Sequence, residues 1–302
     1  METTYYSNGK LLLSAEYAVL DGALALAVPT TYGQSLEIMP SDSATLEWQS
    51  LEQHNNVWFN AAFDTKTFDI HSCSDSELAE TLKRILTQAR ELNPKFIAES
   101  KGYRAISKLT FPRNWGLGSS STLLNNIAQW ASVDPYTLLE RTFGGSGYDI
   151  ACAQHNTPIL YQLVDKKPTV EEVVFQPSFQ SQLYFVHLNQ KQDSRAAIAN
   201  YRKQDFDTLT LVTDLTGITR ELFHTATLTD FESLLTVHEA ILSKVLKIAP
   251  IKERLFSDYY GAIKSLGGWG GDFVLATGNE ETPSYFKARG FTTVVPYSDM
   301  VL

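Results

Sequence analysis

Nine of the 17 glycines fall in three short clusters, and each cluster lies beside residues able to handle charge. The first is Trp115-Gly116-Leu117-Gly118-Ser119-Ser120-Ser121-Thr122. Small residues that open a helix present free backbone N–H groups and the positive end of its dipole to an anion. A hydroxyl there can also ligate magnesium. Lys101, Arg104, Lys108 and Arg113 precede the cluster with no acid among them. The stretch is not GxxxxGK[ST], since no lysine follows the second glycine. It is not GxGxxG either, since Ser121 follows Gly116 and Gly118. A serine-capped helix behind a glycine turn fits these residues equally well. The second cluster, Gly144-Gly145-Ser146-Gly147-Tyr148-Asp149, ends on one carboxylate at a helix start. Asp149 can cap that helix, or orient or deprotonate an attacking hydroxyl. The third, Gly267-Gly268-Trp269-Gly270-Gly271-Asp272, holds more glycine than a turn needs and suits a loop closing over a ligand.

These clusters need elements to hold them. Residues 3–39 read as strands joined by a hairpin at Asp21-Gly22, with further strands at 44–50 and 56–62. Ser74 and Glu77 form a capping box for a helix over 75–92, whose Leu78, Leu82, Ile85, Ala89 and Leu92 keep helical spacing. A strand over 102–111 leads into the first glycine cluster. Helices follow at 119–132, 134–143 and 148–155, then strands at 157–163, 170–175 and 182–188. The remainder reads as mostly helical. Thr229 and Glu232 form a second capping box, and a helix runs over 251–265. A strand at 272–276, a helix at 282–289 and a strand at 291–296 close the chain. Strands and helices mix without strict βαβ alternation, so the fold class is α+β. The loop at 164–169 is the expected domain boundary, giving domains 1–165 and 166–302.

The 302 residues suffice for about two domains. The formal charge of −9 and the absence of a basic run argue against nucleic-acid or anionic-membrane binding. Cys73 and Cys152 make no disulfide framework or metal spacing. Cys152, Trp48, Trp58 and Trp130 read as core. His238 reads as a core histidine on an apolar helix stripe. No stretch near the start reads as a signal peptide or a spanning helix, so a cytoplasmic protein is expected.

Taken together with the N-terminus, the three loops resemble the motifs of the GHMP kinases (galactokinase, homoserine, mevalonate and phosphomevalonate kinases). Gly9-Lys10-Leu-Leu-Leu-Ser-Ala15-Glu16-Tyr17-Ala18-Val19-Leu20-Asp21-Gly22 resembles PGKxxLxGEYxVxxG, with Asn8 replacing the proline and Ala15 a glycine. Pro112 to Thr122, PRNWGLGSSST, resembles PxxxGLGSSAA. GGWGGD resembles GAGGGD, with Trp269 as the departure. Order and spacing agree over most of the chain, and the mevalonate and phosphomevalonate kinase branch is the most similar. The resemblance implies a GHMP kinase fold. Its N-terminal domain is ribosomal-protein-S5-domain-2-like and binds the ATP phosphates, and its C-terminal domain is ferredoxin-like.

It also implies roles. Asp149 matches the catalytic aspartate. Lys10 matches the lysine that stabilises this aspartate and the developing alkoxide. Gly116, Leu117, Gly118, Ser119, Ser120 and Ser121 would cradle the phosphates of ATP, and Gly267, Gly268, Gly270 and Gly271 would line the opposite wall. Ser120 and Glu140 would hold Mg²⁺, although Glu140 stands two residues nearer Asp149 than the family pattern. Glu16, Lys191, Ser194 and Arg195 are substrate candidates, the last three reading more simply as a solvated loop. The implied activity is phosphoryl transfer from ATP to a small anionic acceptor, mevalonate or phosphomevalonate, by a monomer or homodimer. A sugar or homoserine kinase, a diphosphomevalonate-decarboxylase-like enzyme and a non-catalytic nucleotide- or metabolite-binding protein are the alternatives.

Overall fold

The computed structural model describes residues 2–98 and 101–302. It is α+β and divides into two compact units. One comprises residues 1–9, 32–113 and 117–154, and the other 10–31, 114–116 and 155–302. The main division therefore falls ahead of residue 165, and the second unit also takes two early segments. The segment 164–169 is not a linker. Asp165 and Lys166 both have positive φ and form the two-residue turn of a hairpin within the second unit. Among the described residues no helix is long and apolar enough to cross a membrane.

Strands β1 (Thr3–Leu12) and β2 (Ala25–Ser41) each run from one unit into the other. In the first unit, the later half of β2 pairs with β6 (Gly102–Leu109), which pairs in parallel with β3 (Thr45–Leu51). Antiparallel β4 (Val57–Asp64) and β5 (Ile70–Cys73) extend the sheet. Helices α1 (Ser76–Leu92), α2 (Ser119–Ala131), α3 (Pro135–Thr142) and α4 (Tyr148–Gln154) accompany it. Alternating residues such as Leu36, Ile38, Leu46, Trp48 and Phe63 meet Leu82, Ile85 and Ala89 of α1 and Leu124 and Ile127 of α2 in one core. Helix α1 is capped by Asp75, whose carboxylate accepts from Leu78 N–H at 3.0 Å. The expected cap Ser74 instead bonds Asn60 across β4. Strand β5 was not expected from the sequence, because three of its four residues are exposed and carry no alternation.

In the second unit, the early half of β2 pairs with β7 (Ile159–Val164), which forms a hairpin with β8 (Lys167–Glu172). A separate antiparallel sheet has the order β10-β11-β9-β12. Its strands are β9 (Leu183–His187), β10 (Ile263–Ser265), β11 (Phe273–Thr277) and β12 (Val294–Pro296). Helices α5 (Ser194–Arg202), α6 (Thr208–His224), α7 (Leu228–Leu246), α8 (Ile251–Leu255), α9 (Thr282–Lys287) and α10 (Tyr297–Met300) complete it. Two local expectations change. The cap of α7 is Thr227, which accepts from Asp230 N–H, two residues before the expected box. The helix expected over 251–265 stops at Leu255, because Ile263, Lys264 and Ser265 are buried and pair with β11. Ladder bonding and burial outweigh local helical pattern there.

Candidate active site

In the first unit, α2 begins on Gly118, at φ 90°, with no side chain capping it. The left-handed start requires glycine and leaves first-turn N–H groups without a side-chain cap. The hydroxyls divide. Ser121 is buried and donates to Gly118 O at 2.9 Å, and Thr122 donates to Gln34 Oε1 at 2.5 Å. Ser119 is half-buried and Ser120 is exposed. A buried polar network holds this helix end. Ser7 donates to Asn126 Oδ1 and accepts from Asn125 Nδ2, Asn126 Nδ2 donates to Gln34 O, and Gln34 Nε2 donates to Ser107 Oγ. Each such buried group left unpaired would cost about 1–3 kcal/mol, so the network fixes α2 closely.

Asp149 lies in the first turn of α4 and is half-buried. Its Oδ1 accepts from the neighbouring Ile150 N–H, at 3.1 Å. It stands inside the helix rather than at the cap position, so capping does not account for it. Gln154 Nε2 donates to Asn125 Oδ1 and ties α4 to α2. Before it, Gly144 and Gly145 have positive φ and open space around them. Glu140 is exposed on α3. Among the described residues no three His, Cys, Asp or Glu side chains converge as a metal cage.

In the second unit, Lys10 Nζ donates to Gly116 O at 2.9 Å. A Cβ on Gly116 would come within 2.3 Å of Asp272 Cγ. Gly116, at φ 67°, is thus held between a lysine and a carboxylate. Gly116→Ala is expected to destabilise the chain by about 2–4 kcal/mol, from overpacking and left-handed strain together, as measured by denaturant unfolding. The third glycine loop lies against Gln192. Its Nε2 donates to Trp269 O at 3.0 Å, and a Cβ on Gly271 would lie 2.6 Å from Gln192 Cγ. Trp269 itself is buried. Lys191 and Arg195 are exposed, and the side chain of Ser194 lies outside the described residues.

Glu16 belongs to a buried cluster of the second unit. Lys264 Nζ bonds its Oε1, and Glu239 Oε2 accepts from Ser265 Oγ at 3.2 Å. His238 Nε2 accepts from Ala15 N–H at 2.8 Å, so the imidazole is neutral and its contact with Glu16 is not an ion pair. Among the described residues, Glu16 Oε2, Glu239 Oε1 and His238 Nδ1 have no hydrogen-bond partner. Burial pushes Glu239 up to about 8 and raises Glu16 against the opposing charge of Lys264. Burial, then the Lys264 charge, holds His238 well below its usual value.

The sign of the pH dependence follows. Unfolded carboxyls lose their protons near pH 4.5 and unfolded histidine gains one below 6.5. Between pH 6.5 and 8 the folded chain retains a carboxyl proton that the unfolded chain has lost, so stability falls as pH rises. Below 6.5 the neutral His238 opposes that trend. Calorimetry from pH 6.5 to 8 is expected to show Tm falling by a few degrees, and Glu239→Gln to flatten the slope.

Sequence reasoning missed Asp272, Gln192, Lys264 and Glu239 as members of these clusters. Asp272 had a signal, a carboxylate closing a glycine loop. Lys264 had another, a lone cation in the run Ala262-Ile263-Lys264-Ser265-Leu266.

No protein-family profile and no curated protein matches the sequence. Solved structures do match the fold along its length. Mevalonate kinase from Methanococcus jannaschii is 16% identical, with a TM-score of 0.70, over 97% of this chain and 96% of that one. Streptococcus pneumoniae phosphomevalonate kinase, in complex with phosphomevalonate and AMPPNP, is 16% identical, with a TM-score of 0.70, over 95% of each chain. Lactococcus lactis galactokinase, complexed with galactose, is 13% identical, with a TM-score of 0.69, over 96% of this chain and 89% of that one. A glycine-started, uncapped α2, Lys10 bonded to Gly116 and a glycine loop between β10 and β11 therefore occur in a chain with the GHMP kinase fold.

Proposed function

We propose that the chain is an ATP- and Mg²⁺-dependent small-molecule kinase of the cytoplasm, passing the γ-phosphoryl group to mevalonate or phosphomevalonate. One observation carries this reading. Helix α2 opens on a left-handed glycine with no side-chain cap, behind a segment with Arg113 exposed before it. Such an end receives phosphate through backbone N–H groups and the helix dipole, as a chain of charge −9 requires. The solved mevalonate and phosphomevalonate kinases of the same fold support the substrate class.

Phosphoryl transfer asks for positioning and charge neutralisation more than covalent chemistry. Asp149 would orient the acceptor hydroxyl and accept its proton, Lys10 would add positive charge, and Ser119 would join the first-turn amides on the phosphates. The lack of a carboxylate cage among the described residues fits a magnesium ion carried largely by nucleotide phosphates, which needs only one or two protein ligands. Ser120 and Glu140, both exposed, would supply them. Bound there, the ion would neutralise charge on the phosphates.

The test is ADP release with mevalonate, phosphomevalonate, diphosphomevalonate, homoserine and galactose. Turnover confined to mevalonate or phosphomevalonate is expected. Preference for homoserine or galactose, CO₂ release from diphosphomevalonate, or ATP binding with no turnover would each overturn the assignment.

A further inference from the structure

Asp272 closes the third glycine loop, with its N–H, its carbonyl and one carboxylate oxygen engaged. Its N–H donates to Gln190 O at 2.6 Å and its carbonyl accepts from Leu188 N–H at 2.8 Å. Its Oδ1 accepts from Gln192 N–H at 3.2 Å. The residue is 7% exposed and holds φ 53°, in the left-handed region that few non-glycine residues other than Asn and Asp adopt.

What surrounds the carboxylate bears on charge as well as shape. It lies so close to Gly116 that no side chain fits there. The carbonyl of the same Gly116 receives the Lys10 ammonium at 2.9 Å. The one residue thus separates an anion from a cation. Burial raises the Asp272 carboxyl, and Lys10 is the strongest influence against that, ahead of His187 and Lys191. A turn-forming role alone would need the backbone bonds and not a charge facing a lysine.

We propose that Asp272 is a positioning residue: its carboxylate sets the place of the Lys10 ammonium across Gly116 and ties both to the segment 188–192. The consequence for phosphoryl transfer rests on the kinase reading above. The placement itself does not. Through the Gln192 bonds, the segment 188–192 and the third glycine loop share this anchor, so displacement of one is felt at Lys10.

Asp272→Asn separates charge from shape, because the amide keeps an oxygen for Gln192 N–H. Lysine-labelled NMR, with the Lys10 signal assigned through Lys10→Arg, reads the placement directly. The Lys10 signal is expected to move in Asp272→Asn and to stay put in Asp258→Asn, a surface control paired with Arg289. A Lys10 signal unchanged by Asp272→Asn overturns the proposal. In steady-state assays Asp272→Asn is expected to lower kcat by about tenfold with KM for ATP within about twofold, the pattern of a lost transition-state interaction. An unchanged kcat in an active chain overturns it as well. Should Asp272→Asn fail to fold, Gln192→Ala is expected to move the Lys10 signal in the same direction by a smaller amount, and no movement counts against the proposal. The NMR measurement stands whether or not any acceptor is phosphorylated, so failure of the kinase reading is told apart from failure of this one.

Discussion

Replacing Asp149 by alanine is expected to lower kcat by about a thousandfold, the middle of the range for a lost general base, while ATP affinity stays within about twofold. The expectation rests on two observations in the first unit. Asp149 is half-buried in the first turn of α4, and among the described residues its carboxylate accepts only the adjacent Ile150 N–H. Both its oxygens therefore retain capacity for a substrate hydroxyl. The helix start does not depend on it as a cap, so the alanine variant keeps its fold. Steady-state kinetics with the preferred acceptor measures kcat, and AMPPNP calorimetry measures nucleotide affinity. Asp149→Asn separates the two roles open to this side chain. It retains an oxygen to orient the hydroxyl but cannot take its proton. Retention of about a tenth of the rate would assign orientation. A loss as deep as alanine's would assign proton transfer. An alanine variant with unaltered kcat would remove Asp149 from the chemistry.

The second large effect is on stability. Lys264→Met is expected to cost about 3–5 kcal/mol, because removing one partner of a buried ion pair strands the other. Lys264 is 0% exposed and Glu16 1%, with Glu239 beside them at 3%. The methionine fills similar volume, so the loss is electrostatic rather than a cavity. His238 offers no replacement charge, since its Nε2 is occupied by the Ala15 N–H. Urea unfolding gives the magnitude. Lys264→Met with Glu16→Gln is expected to recover a large part of the loss, since a neutral pair leaves no stranded charge. A single variant within about 1 kcal/mol of the parent would show that the cluster holds its protons differently. The location gives this stability a bearing on the proposed activity. Glu16 follows Lys10 along the chain, and Lys264 lies on the strand that leads into the third glycine loop.

Much of this was legible in advance, for a physical reason. Left-handed glycines and hydroxyl-rich helix starts are local requirements, and local requirements mark the sequence. Gly118 at φ 90° before α2 and Gly22 after Asp21 are found where residue type demands them. So are the apolar stripe of α1 and the buried run of β9, which follow from period and hydrophobicity. The errors lie where two segments compete for one group. Ser74 lost its capping role because Asn60, on another strand, offered it partners. The helix read through 265 became strand β10 because β11 offered it a ladder.

By itself, then, the sequence determined the glycine loops, the elements flanking them and the residue types able to meet phosphate. Each depends on backbone freedom or periodicity within a few positions. Tertiary structure alone decided that Asp272 faces Gly116, that Gln192 fills the space left by three glycines, and that Lys264 holds Glu16. These are pairings across roughly 80–250 positions, and neither partner carries a local mark of the other. Burial is what makes them consequential. A carboxylate or ammonium removed from water must find its counterpart in the folded chain, and only the fold says where that is.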